Sequence, residues 1–172
     1  MSSDTSRGEG PGIAYTGSRS PGEGQPAPSP VIRRATPADI DAVFAIGTAE
    51  PAFGVSSAIR FYERCELEEW VAAPKENILL VLEDEDGIAG FLFCKIMSSH
   101  WAYLDNFYLR PGNRGRGYGR LFMEALLARL KCQGIAYLST LIDKEDTFLT
   151  GYVTTYGLES EKTYVWMDRF VD

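Results

Sequence analysis

In an acidic chain of 172 residues with a formal net charge of −7, the stretch RPGNRGRGYGR at 110–120 gathers four arginines and four glycines. Glycine lets the backbone approach a ligand without a Cβ in the way, and arginine offers forked donors to oxyanions. The stretch follows an apolar run, WAYLDNFYLR (101–110), and precedes the most helical segment of the chain, RLFMEALLARLKCQG (120–134). The first N–H groups of a helix have no internal partner and sit at the positive end of its dipole. Strand, glycine loop and helix start together make a seat for phosphate.

Particular residues exclude the commoner phosphate loops. Gly112 and Gly117 have the spacing of a Walker-type loop, but Tyr118 and Gly119 stand where Lys and a hydroxyl residue are required. Gly115 and Gly117 begin a dinucleotide fingerprint whose third glycine would fall at Arg120, and the strands before it read as a meander, not a βαβ unit. An arginine–glycine RNA tract would be repeated and flanked by disorder, whereas this one occurs once between a strand and an amphipathic helix. The acidic balance also disfavours nucleic acid as a partner.

The elements that must position the loop are legible from periodicity and turn chemistry. VIRRAT (31–36) reads as a strand, and a helix follows with Thr36 as cap, Pro37 in its first turn and Asp39 as an early carboxylate. A second helix is expected over 57–73, with Ile59, Tyr62, Leu67, Trp70 and Val71 as its buried stripe. NILLVLEDEDGIAGFLFCKIMSS (77–99) reads as a hairpin turning at Asp86-Gly87, and 101–110 as a third strand. In the long helix Leu121, Phe122, Ala125, Leu126 and Leu130 share a face, Leu127 widens it, and Gly134 suits the C-terminal cap. A strand at 136–143, a short helix at 145–157 ended by Gly157 and a closing strand at 160–171 complete an α/β order with a largely antiparallel sheet.

Residues 1–30 are rich in Ser, Gly and Pro and are expected to be a disordered tail, with neither signal peptide nor membrane anchor. That leaves 31–172 as one folded domain. Cys65, Cys94 and Cys132, odd in number and without ligand spacing, suggest buried free thiols in a cytoplasmic protein with no disulfide and no metal. No run approaches the ~20 apolar residues of a membrane span, so no membrane partner is expected.

Arg114, Gly117 and Gly119 satisfy an Arg/Gln-x-x-Gly-x-Gly/Ala pattern at a strand-to-helix junction. Together with LDNFYLRPGNRGRGYGRLFMEALLARLKCQG (104–134) and the element order over 31–170, the chain resembles the GNAT superfamily of acyl-CoA-dependent N-acyltransferases. The resemblance implies the GNAT fold, a mixed and mainly antiparallel central sheet flanked by helices, with acetyl-CoA as co-substrate. It places Arg114, Gly115, Arg116, Gly117, Tyr118, Gly119 and Arg120 on the pyrophosphate. It also implies that the strand before the loop splays from its successor, with Phe107, Tyr108 and Leu109 lining the pantetheine arm and the Leu109 N–H facing the thioester carbonyl.

The implied chemistry is direct attack of a primary amine on the thioester, which needs a base for the ammonium and a donor for the leaving sulfur. The resemblance puts a carboxylate on the third meander strand, where Asp105 is the candidate base; Tyr103 shares its face, and Asp143 is the lesser alternative. For the donor the chain departs from the family. Val153 stands four residues before Gly157, where members carry tyrosine, leaving as candidates Tyr152 and Tyr156, which flank it in sequence but are turned about 100° and about 60° around the helix from it. Asp146 replaces the usual Asn at the start of that helix. Leu141 stands where the peptide N-terminal acetyltransferase branch carries glutamate, so that substrate is not assigned. His100, the sole histidine, reads as a turn residue.

For the acceptor, Glu50, Phe53, Phe61, Tyr62 and Glu63 offer an aromatic and acidic surface to a cation. A small-molecule amine and a peptide or protein amine both remain open, as do monomer and homodimer. A catalytically inactive acyl-CoA-binding or sensor module is the alternative to the enzyme.

Overall fold

The computed structural model describes residues 30–54, 59–73, 76–160, 162, 165, 167 and 169. The tail expected over 1–30 lies outside them apart from residue 30.

Nine elements follow the expected order: β1 (Val31–Arg34), α1 (Ile40–Ala49), α2 (Arg64–Ala72), β2 (Asn77–Asp84), β3 (Gly87–Ile96), β4 (Trp101–Leu109), α3 (Tyr118–Cys132), β5 (Tyr137–Thr140) and α4 (Thr147–Thr154). The described strands form one sheet in the order β1-β2-β3-β4-β5. The first three pairings are antiparallel, and the last, reached through the α3 crossover, is parallel. This is the mixed, mainly antiparallel α/β architecture anticipated from the sequence.

Helices cover both faces of the sheet, which is why β2 and β3 read as nearly continuous apolar runs. Ile78, Leu80, Leu82, Leu92 and Cys94 pack with Phe122, Met123, Leu126 and Leu130 of α3. Leu79, Val81, Phe91 and Phe93 pack on the opposite face with Val43 of α1 and Leu67 of α2. The successive side chains of a strand alternate between these two cores. At the N-terminus, Asp39 accepts both forks of Arg33, at 2.7 and 2.8 Å, and closes a capping box with Thr36.

Several expectations are corrected. The second helix starts at Arg64, not near 57, because Glu63 and Glu66 form its capping box and Phe61 leaves the helical path to lay its ring over Gly47, where any Cβ would collide with it. Ile59 is accordingly exposed rather than part of a buried stripe. On α3, Met123 is buried while Leu121 and Leu127 face outward. Cys94 is buried, but Cys65 and Cys132 are exposed free thiols. The closing strand expected over 160–171 lies, apart from isolated positions, outside the described residues. Gly134, by contrast, is left-handed (φ 75°) and closes α3, with the Ile135 N–H returning to the Leu130 carbonyl at 3.0 Å.

Candidate functional site

The glycine loop begins where Pro111 ends β4. A single tight turn over Pro111–Asn113 reverses the chain. Asn113 is buried and donates to Asp84 at the β2–β3 hairpin at 2.9 Å, which fixes the loop to the sheet. Gly115 (φ 74°) and Gly117 (φ 83°) then adopt left-handed backbone, with open space wherever a Cβ would point. Their conformation, not local packing, requires glycine.

The result is a run of oriented N–H groups. The first internal bond of α3 runs from the Leu121 N–H to the Gly117 carbonyl at 3.2 Å, and no N–H group from position 115 to position 120 has an acceptor among the described residues. Six such donors around a helix start make a concave anion seat. The arginines divide the remaining labour. Arg110 donates to the Ile88 carbonyl and Arg114 to the Leu109 carbonyl, each at 2.9 Å, so both pin the loop. Arg120 pairs along the helix with Glu124. Arg116 is exposed and makes no hydrogen bond or ion pair among the described residues.

Beside this seat, β4 has an open edge. β5 pairs with β4 only from Trp101 to Leu104, so positions 105–109 have no strand partner on that side among the described residues. The Arg110 N–H bonds the Ala89 carbonyl on β3, which sets the phase of the strand. By alternation the main-chain groups of Phe107 and Leu109 face the opening, and those of Tyr108 face β3. The Arg114 contact to the Leu109 carbonyl agrees with that phase. The Phe107 and Leu109 side chains lie on the α3 face, whereas the Tyr108 ring stacks on Phe91 on the α1–α2 face. An extended chain laid in the opening would therefore meet Phe107 and Leu109 through backbone, with Tyr108 turned away.

Asp105 owes its direction to a β-bulge. The β3–β4 register shifts between Phe93 and Cys94, which oppose Asn106 and Leu104, leaving Asp105 as the extra residue. Its carboxylate accepts the Tyr62 hydroxyl and lies 2.9 Å from the Lys95 ammonium. Burial, then the bond to Asp105, pushes the Tyr62 phenol well above its ordinary range. Burial, then the Asp105 charge, raises the Cys94 thiol to about 12, which removes it as a nucleophile. Tyr103 is likewise raised, by burial and then by Asp105.

Across the opening stands α4, capped by Asp146, whose carboxylate accepts the Leu149 N–H at 2.8 Å. Val153 occupies the buried position. Tyr152 nevertheless turns inward, its ring stacked on Phe107 at 5.9 Å and meeting Tyr156 edge-on at 5.3 Å. A Cβ added at Gly119 would lie 3.0 Å from the Tyr152 oxygen, so that hydroxyl reaches the first turn of α3. It is buried without a hydrogen-bond partner among the described residues, and burial, then the neighbouring Tyr156 hydroxyl, raises its pKa. Asp143 faces its own turn and His100 is exposed, so neither joins the group.

The sequence reading missed Lys95 and gave Trp70 a purely structural place. The available sequence signal is only a lone lysine inside the apolar run GFLFCKI; the ladder then sets it opposite Tyr103. Among the described residues no group of His, Cys, Asp or Glu could hold a metal, and no helix is long and apolar enough to cross a membrane.

A family model described as "Acetyltransferase (GNAT) family" matches residues 48–148, which include the bulge, the open edge and the glycine loop. No curated protein matches the sequence. Among solved structures, an aminoglycoside acetyltransferase from an uncultured soil metagenomic sample, in complex with sisomicin, aligns with TM-score 0.66 and 16% identity over 83% of this chain and 97% of its own. The aminoglycoside N-acetyltransferase AAC(6')-Iy in complex with CoA gives 0.64 and 15% over 82% and 100%. A transcriptional regulator from Bacillus halodurans C-125 gives 0.67 and 17% over 81% and 99%. At these identities the likeness is one of fold.

Proposed function

The chain belongs to the acetyltransferase (GNAT) family, and on that premise we propose that residues 31–172 form an N-acetyltransferase moving the acetyl group of acetyl-CoA to a primary amine. The observation that carries this reading is the run of unpartnered N–H groups at 115–120, set at the end of the open β4 edge. That pair of features suits one long ligand with a phosphate end and an extended arm. Main-chain donors of the loop hold the pyrophosphate, and Arg116 adds charge. Phe107 and Leu109 hold the arm through backbone.

Acetyl-CoA supplies an acyl thioester, whose carbonyl carbon an amine nitrogen attacks directly. The Leu109 N–H, on the open side of β4, stabilises the negative charge that grows on the carbonyl oxygen. An alkylammonium with pKa ~10 must first lose a proton, and Asp105 accepts it, directly or through a water. The Tyr152 hydroxyl, which has no hydrogen-bond partner among the described residues, is the donor for the leaving sulfur; Tyr156 shares its face one turn on. The solved relative bound to sisomicin favours a small-molecule amine as the acceptor of this chain too.

Release of free CoA thiol from acetyl-CoA, measured against a panel of primary amines, tests the reading. Amine-dependent release supports it. The ion pair that ties Asp105 to Lys95 favours one other reading, an acyl-CoA-binding module without turnover. Tight CoA binding by calorimetry, with no release for any amine, would select that module.

A further inference from the structure

The Lys95 ammonium occupies a nearly complete receptor for its own functional group. Its nitrogen lies 2.9 Å from an Asp105 carboxylate oxygen and 3.2 Å from the Tyr62 hydroxyl. It sits 4.7 Å from the centre of the Tyr62 ring and 4.9 Å from that of Trp70. The two rings meet edge-on at 4.5 Å and so form two walls of one box. Aromatic faces and a carboxylate around an ammonium are the ingredients of alkylammonium recognition. The walls come from three separate places: Tyr62 just before α2, Trp70 within it, and Asp105 at the β4 bulge.

Two further facts bear on what the box is for. Its carboxylate is the one placed beside the open edge of β4 by an irregularity of the strand, not by regular alternation. Its occupant is the tip of a flexible four-carbon stem whose side chain is about one-third exposed, whereas the Asp105 side chain is only 16% exposed. Lys95 can swing its head into water, but the walls cannot follow. Helix α2 also carries Glu66, Glu68 and Glu69 around Trp70, a surface that favours arriving cations.

We propose that the Tyr62–Trp70–Asp105 box is the ammonium subsite for the acceptor, and that Lys95 occupies it as an internal competitor that the acceptor displaces. This rests on the amine N-acetyltransferase reading above and narrows it. The acceptor presents a primary ammonium on an unbranched methylene arm, the same species that Lys95 presents. While Lys95 is in the box, Asp105 is shielded from solvent and from wrong substrates. Once Lys95 leaves, the carboxylate meets the new ammonium at the position Lys95 vacated. The apparent affinity for any acceptor is lowered by the fraction of molecules in which Lys95 holds the box.

The test uses the full chain and n-butylammonium as the probe. Calorimetry on the parent and on Lys95→Met is expected to show roughly tenfold tighter butylammonium binding by the variant. Adding Trp70→Leu to Lys95→Met should cancel that gain. Lys95→Gln, whose amide still donates to Asp105, replaces Lys95→Met if the latter does not fold, with a gain of the same sign. In turnover, the KM for butylamine should fall in step while the KM for acetyl-CoA stays put. Equal or weaker butylammonium binding by the Lys95 variants overturns the proposal, even if the parent acetylates butylamine. A parent that acetylates no amine, yet whose Lys95 variants gain affinity, would remove the enzyme reading and leave the subsite standing.

Discussion

The Arg114 guanidinium donates its Nε hydrogen to the Leu109 carbonyl oxygen at 2.9 Å, joining the glycine loop to the last residue of β4. The contact sets the distance between the two halves of the candidate acyl-CoA site, the N–H seat and the strand edge. It also covers the Leu109 carbonyl, so the N–H is the main-chain group of Leu109 left facing the opening. Arg114→Ala should raise the KM for acetyl-CoA about tenfold, the worth of one charge-assisted hydrogen bond. Steady-state kinetics checks this, and Arg114→Lys should recover only part of the loss because a lysine lacks the Nε geometry.

At Gly117 an added Cβ would meet no described neighbour within 4 Å, yet φ is 83°. Gly117→Glu should therefore cost only roughly 1–2 kcal/mol of stability from the left-handed backbone. The carboxylate would stand before the unpartnered N–H groups and repel a phosphate. Calorimetry should find CoA binding lost in a protein that still melts cooperatively. Unchanged affinity would place the phosphate elsewhere.

The loop, the meander and α3 were legible in the sequence because each is governed by local chemistry: glycines at left-handed positions, a two-residue hairpin turn and a long apolar stripe. What the sequence hid depends on tertiary contacts. Phe61 abandons the helix to cover Gly47, so α2 shortens. The bulge at Asp105 is set by the register against β3, which no pattern within β4 reveals. Helical arithmetic put Tyr152 about 100° from the expected tyrosine. The long phenol spans that offset by lying on Phe107 while the smaller Val153 fills the core. Lys95 does not stand out in the sequence, because a single charge in an apolar strand looks like an edge position until its cross-strand partner is known.

Asp105→Asn removes the carboxylate that faces Lys95 and the candidate base. Where the acceptor is almost wholly protonated, turnover depends on that base. Where pH approaches the amine pKa of ~10, free amine is abundant without it. The variant should lose most activity below about pH 8 and converge on the parent above about pH 9.5. A pH–rate profile that keeps its shape would remove Asp105 from proton transfer.

The same measurement of pH effects can be made on stability at Asp39. Its carboxyl is held down to about 2, first by the Arg33 hydrogen bonds and against the cost of burial, with Thr36 adding two more. The unfolded chain titrates near the ordinary 3.8. A depressed folded pKa gives stability that is whole above the unfolded value and lost as pH falls through the folded one. The contribution is about 2 kcal/mol. Asp39→Asn should lie below the parent by about that amount at neutral pH, with the gap closing between about pH 4 and pH 2 in urea melts.

Tyr152 offers the sharpest separation of structure from function. Its hydroxyl is buried without a partner among the described residues, and such a group costs a folded protein about 1–3 kcal/mol relative to one that is paired. Its ring does the packing, on Phe107 and Tyr156. Tyr152→Phe keeps the ring and deletes the orphan, so the variant should be at least as stable as the parent, by up to about 1 kcal/mol in chemical denaturation. If the hydroxyl is the donor to the leaving sulfur, kcat should fall about 10²-fold with the KM for acetyl-CoA unchanged. Tyr156→Phe, which leaves the Tyr152 hydroxyl in place, should lose far less. A Tyr152→Phe protein that is less stable and fully active would mean the hydroxyl is structural and that the sulfur takes its proton from solvent.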